Sequence, residues 1–108
     1  MPGTIFELQA DLCRALGNAT RLRIVHHLGE GTHTVGDIAA TMNLAQSQVS
    51  QHLAILRAYG VVAARRSGQR TIYRIANRKI VRVCDIMREV LADQAAERSG
   101  MVEAMRED

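Results

Sequence analysis

Along the chain, apolar residues recur first at helical spacing, then in alternation, then at helical spacing again, and these changes of period divide it into elements. Ile5, Leu8, Leu12 and Leu16 form one helical stripe, with Gly17 as its stop. Asn18 is suited to cap a second helix over "ATRLRIVHHL", which ends at Gly29-Glu30-Gly31. His33 then falls in a loop. Thr34 and Asp37 have capping-box spacing, with Asp in the usual Glu place, and open a short helix, "VGDIAATM". Asn43-Leu44-Ala45 makes a tight turn into the helical stretch "LAQSQVSQHLAILRAYG". From Val61 the period falls to two: "VVAARR" and "QRTIYRI" flank Ser67-Gly68, which predicts a β-hairpin. Asn77 caps a long last helix, predicted over Arg78 to Arg98 and interrupted at Gly100.

A short helix, a tight turn, a second helix and a hairpin make a winged helix-turn-helix, so the fold expected is mostly α with a β-hairpin wing. Residues 1–98 form the domain, and 99–108 form a tail that either extends the last helix or frays. With one Phe, two Tyr and no Trp, the core is aliphatic and modest. Domains of this size often complete their burial against a second copy. No run approaches the roughly 20 apolar residues of a membrane span, and "MPGTIFELQADL" lacks the basic and apolar regions of a signal peptide. A cytoplasmic protein is expected, with no membrane partner and with both cysteines reduced.

The net charge of +3 conceals a segregation. From Ile38 through Cys84 there is no Asp or Glu, but eight bases: Arg57, Arg65, Arg66, Arg70, Arg74, Arg78, Lys79 and Arg82. From Asp85 onward seven acids face three arginines. An acid-free basic middle suits a polyanion, although a merely solvated basic face has the same composition.

The helix within that middle has an uncharged outer face. On a wheel of about 100° per residue, Val49, Leu53 and Leu56 point inward while Ser47, Ser50, Gln51, Ala54 and Ala58 point outward. In a major groove Gln pairs with adenine, Ser with several base edges, and Ala permits close approach; a carboxylate would be repelled by phosphate. Gln46, Ser47, Gln48, Ser50 and Gln51 are therefore expected to contact base edges. His52 sits on the flank, as a phosphate contact or a packing residue. Arg65, Arg66, Gln69 and Arg70 surround the hairpin tip, within reach of minor groove or backbone. Arg57 and Arg74 are phosphate clamps or surface residues.

"LGNATRLRIVHHL" and "TVGDIAATMNLAQSQVSQHLAILRAYGVVAARRSGQRTIYRI", followed by the capped last helix, resemble the ArsR/SmtB family of bacterial transcriptional repressors over about Leu12 to Leu91. The resemblance implies a homodimer joined through the first and last helices, here by Ile5, Leu8, Leu12, Ile80, Val83, Met87, Val90 and Leu91. It also implies a palindromic operator in double-stranded DNA and an inducer that releases it. The metal sites of the family do not carry over. The positions of its paired cysteines hold Thr34 and Gly36, and those of its last-helix ligands hold Asn77, Lys79, Val90 and Asp93. The cysteine pair of its persulfide-sensing branch falls at His26 and Ala92.

Cys13 and Cys84 remain, one on each helix of the implied interface, with Cys84 placed in the same apolar stripe as Ile80, Val83 and Met87. They are either small buried hydrophobes or a sensing pair, bridged by an oxidant or polysulfide or binding a soft ion such as Cu(I) or As(III). No obligatory cofactor is expected. No HExxH, CxxC, P-loop or nucleophile elbow appears, so an enzyme is not expected. Two other readings stay open: a winged-helix module that binds an acidic protein, and a DNA-binding regulator without a thiol switch.

Overall fold

The computed structural model describes residues 3–106. Helix α1 (Ile5–Leu16) is followed by α2 (Ala19–Gly29), strand β1 (His33–Thr34), α3 (Val35–Met42), α4 (Gln46–Ala58), strands β2 (Val62–Ser67) and β3 (Arg70–Ile75), and α5 (Arg78–Arg106). The first three helices start where polar side chains satisfy free N–H groups. Thr4 Oγ1 accepts from Glu7 N–H at 3.2 Å, and Asn18 Oδ1 from Arg21 N–H at 3.0 Å. At α3 the Thr34 hydroxyl accepts from Asp37 N–H at 3.1 Å while Asp37 Oδ2 accepts from Thr34 N–H at 3.3 Å.

The core lies where α2, α3 and α4 meet the base of the hairpin. Ile24, Val25, Leu28, Ile38, Val49, Leu53, Leu56, Val61 and Val62 are all buried, closed below by Ile75 and Cys84. Each fully buried Leu, Ile or Val contributes roughly 1.5–3 kcal/mol. This cluster, rather than intrinsic helix propensity, fixes how α4 is presented.

Three expectations are corrected. His33 is not in a loop: with Thr34 it pairs antiparallel to Tyr73 and Ile72, giving a three-stranded sheet in the order β1-β3-β2. The last helix does not stop at Arg98 but runs through Gly100 to Arg106, so residues 99–106 extend it; Glu107 and Asp108 lie outside the described residues. Gly in a helix interior costs about 1 kcal/mol relative to Ala, too little to break so long a helix. Cys84 does not share a face with Val83 and Met87: it is buried in the subunit's own core, while they stand exposed. Leu12 and Ile80 are half-buried against that core, which leaves part of each open to solvent. Among the described residues, no helix is long and apolar enough to cross a membrane.

Candidate nucleic-acid interface

Two left-handed residues bracket α4. Asn43 (φ 55°) ends α3, with Leu44 N–H returning to Ala39 O at 3.0 Å. Gly60 (φ 75°) ends α4, with Val61 N–H on Leu56 O at 2.9 Å. Such stops satisfy carbonyls the helix itself leaves free. At its start α4 has no capping side chain on Ala45; instead Gln48 Oε1 accepts the Ala45 N–H at 3.3 Å.

With Val49, Leu53 and Leu56 fully buried, Ser47, Ser50, Gln51, Ala54 and Ala58 form an exposed, acid-free face. Gln46 and Gln48 are exposed too but partly engaged. The amide of Gln46 lies over Gly36, where a Cβ would stand 3.5 Å from Nε2, and the oxygen of Gln48 is held by the N-terminus of α4. Ile55, beside that face, and Tyr59, just past the end of α4, are exposed too, and the sequence reading left them out.

His52 is half-buried, its Nδ1 3.5 Å from Arg21 Nη1. Arg21 is a structural link beside the site that sequence reasoning missed. Its Nε donates to Ala15 O at 2.6 Å and its Nη2 to Arg14 O at 3.2 Å, so one guanidinium ties the end of α1 to the flank of α4. The fork of five donors makes such a multiple contact natural for Arg. No local pattern could have signalled it, because its partners are backbone oxygens and a residue 31 positions away.

The hairpin pairs Val62 with Ile75 at its base and Ser67 with Arg70 at its tip, across a turn with Gly68 at φ 65°. Side chains alternate along a strand, so the register puts Arg65, Arg70 and Arg74 on one face and Arg66 on the other, beside Thr71. Arg57, Arg65, Arg66, Gln69, Arg70 and Arg74 are all exposed. Among the described residues none of these arginines forms a salt bridge. The wing has one acidic neighbour that the linear charge count does not show. The Asp37 carboxyl is held below its ordinary range by Thr34, first through its backbone N–H and then its hydroxyl, with His33 and Arg70 adding their charge.

Away from this surface, Ile5, Phe6 and Leu8 on α1 and Val83, Ile86, Met87, Val90 and Leu91 on α5 are exposed large apolar residues. Phe6 and Ile86 extend the set read from the sequence. The two thiols differ: Cys13 is exposed, whereas Cys84 is buried and its thiol is pushed up by desolvation, partly offset by Arg88. Among the described residues no three His, Cys, Asp or Glu side chains gather to hold a metal ion.

Residues 18–64 match the family described as bacterial regulatory protein, arsR family. An uncharacterised HTH-type transcriptional regulator of Mycobacterium tuberculosis, Rv0081, is 36% identical over 94% of this chain and 90% of its own. Its crystal structure superposes with a TM-score of 0.80 over 90% of this chain and 98% of that one. The HTH-type transcriptional regulator CmtR of Mycobacterium bovis is 38% identical over 89% of this chain and 86% of its own. The homodimeric winged helix-turn-helix DNA-binding domain Mb0332 of Mycobacterium bovis, a possible ArsR-family regulator, is 32% identical with a TM-score of 0.74, over 87% and 92% of the two chains. Helix-turn-helix, three-stranded wing and near full-length kinship together make this chain a member of the ArsR family of bacterial transcriptional regulators.

Proposed function

We propose that the chain is a homodimeric transcriptional repressor that binds an inverted-repeat operator in double-stranded DNA and is released by an inducer. One observation carries the reading: α4 turns an acid-free face of Ser, Gln and Ala outward beside a wing whose arginines form no salt bridges among the described residues. Ser47, Ser50 and Gln51 read base edges in the major groove, with Gln46 and Gln48 at the entry. Arg57, Arg65, Arg66, Arg70 and Arg74 grip phosphates or the adjacent minor groove, with Gln69 at the wing tip. The exposed apolar residues of α1 and α5 supply the surface on which two copies pair, and the related Mb0332 domain is homodimeric.

Burial of Cys84 favours the version without a paired thiol switch. A bridge to Cys13, or shared binding of Cu(I), As(III) or a polysulfide sulfur, requires Cys84 to leave the core, and burial also suppresses the thiolate that reacts. Selection from a pool of random duplexes tests the main proposal. The expected result is enrichment of an inverted repeat whose affinity falls steeply, by about 10³-fold or more, between about 50 and 200 mM salt. No enrichment, with affinity instead for an acidic protein, leaves the interaction module as the better reading.

A further inference from the structure

A groove of about 510 Å³ runs along α2, between that helix, the end of α3 and α5. It lies apart from the DNA-facing surface described above. Ala19, Leu22 and Met42 give it an apolar wall, and its charged residues are cationic in excess, Arg23 and Arg88 against Glu30. The Glu30 carboxylate lies 3.8 Å from His26 Nε2, an ion pair only when that imidazole carries a proton. Arg88 pairs with Asp85 on its own helix. No hydrogen bond or salt bridge engages the Arg23 side chain among the described residues, which leaves its guanidinium free at the groove.

We propose that this groove is a binding site for a small organic carboxylate with an apolar body. Its volume falls within the roughly 300–1,000 Å³ typical of small-molecule sites, which are apolar with a few placed polar groups. The body covers Leu22 and Met42, and the carboxylate takes the guanidinium fork of Arg23, with Arg88 as the second cation. A cationic ligand would meet two arginines, and a neutral one would gain no charge-assisted hydrogen bonds from Arg23.

The site also stands where a wedge has leverage. α2 and α5 touch closely at Gly29, where a Cβ would lie 3.3 Å from Val81 Cγ1, and this contact serves as a pivot. Met42 is the last residue of α3 and leads through left-handed Asn43 into α4. His27, also at the groove, stacks on His33 of β1 with ring centroids 4.0 Å apart, and His33 pairs with Tyr73 of the wing. A ligand that separates α2 and α3 from α5 therefore shifts both reading elements relative to the apolar helix on which two copies pair. This regulatory consequence rests on the repressor proposal; binding to the groove does not.

The test uses the full chain and three acids, phenylacetate, 2-naphthoate and octanoate, with 2-naphthamide as a neutral control. Amide ¹H–¹⁵N spectra are recorded during titration. At least one acid is expected to give saturable shifts at Leu22, Met42 and Arg88, with Kd below about 1 mM and at least about tenfold weaker in Arg23→Gln. The neutral amide is expected to be weaker by a similar factor. No saturable shift with any acid, or equal binding to Arg23→Gln, overturns the site; Arg23 is exposed, so that variant keeps the fold. With the selected duplex present, the bound acid is expected to weaken DNA affinity by about 5- to 150-fold, the usual range of such coupling. Unchanged DNA affinity overturns the regulatory role alone. A chain that binds no duplex even without acid contradicts the repressor reading and leaves the amide titration to decide the groove.

Discussion

Replacing Arg21 with Ala removes three contacts at once, and their values differ. Arg14 O keeps the Gly17 N–H at 3.2 Å, so losing Nη2 leaves that carbonyl satisfied. Among the described residues Ala15 O accepts only from Arg21 Nε outside the helix ladder, and Ala15 itself is 2% exposed. An orphaned buried acceptor costs about 1–3 kcal/mol. The His52 contact, at the 3.5 Å limit, adds little. The expected loss is therefore about 2 kcal/mol, or a fall of about 1 M in the urea midpoint for a slope near 2 kcal/mol/M. Urea unfolding at one fixed protein concentration measures it, because dimer stability depends on concentration. Arg23→Ala is the control, an exposed arginine without a hydrogen bond or salt bridge among the described residues, expected within about 0.5 kcal/mol of the parent. Arg21→Lys keeps the charge but not the fork and should fall between. If Arg21→Ala matches Arg23→Ala, the guanidinium does not hold α2 to the end of α1 and its hydrogen bonds are incidental.

Other consequences follow from the same geometry. Gln51→Ala should relax discrimination at one operator position by about 1–3 kcal/mol, measured by competition between the selected duplex and its single-base variants; equal weakening on every sequence contradicts base reading. Arg65→Gln should lower affinity almost uniformly across sequences and reduce the slope of log affinity against log salt by about one. An unchanged slope removes Arg65 from the phosphate contacts. His27 has its pKa lowered from 6.5, first by burial and then by His33. The unfolded chain therefore binds that proton more readily, so the contribution is fully present above about pH 6.5 and is lost as pH falls through the lower folded value. Thermal midpoints should drop on acidification through that window, and His27→Leu should flatten the drop; an equal drop in the variant assigns it to other groups.

The helix-turn-helix was legible because its signals are local. Asn18, the Thr34–Asp37 box and the Val49–Leu53–Leu56 stripe each act within a few residues of themselves, and all do in the structure what their spacing implies. β1 was not legible, since two residues carry no period. The last helix misled for a different reason: it has two apolar faces. Val81 and Cys84 turn toward the core while Val83, Ile86, Met87 and Val90 turn away, so periodicity could not say which side Cys84 occupies. Gly100 was weighed by propensity, and helix length outweighed it. Of the candidate site, the outward face of α4 and the wing arginines could be read from spacing and charge. The Arg21 link and the approach of Asp37 to Arg70 could not, because both join residues that only the fold brings together.

The most direct measurement is a guanine-methylation interference footprint on the duplex enriched by selection, since guanine N7 lies in the major groove. Two α4 helices entering successive major grooves should yield two clusters of interfering guanines whose centres lie about 10 base pairs apart on one face of the duplex. Interference at a single cluster, or none despite tight binding, would contradict the paired reading of base edges by α4.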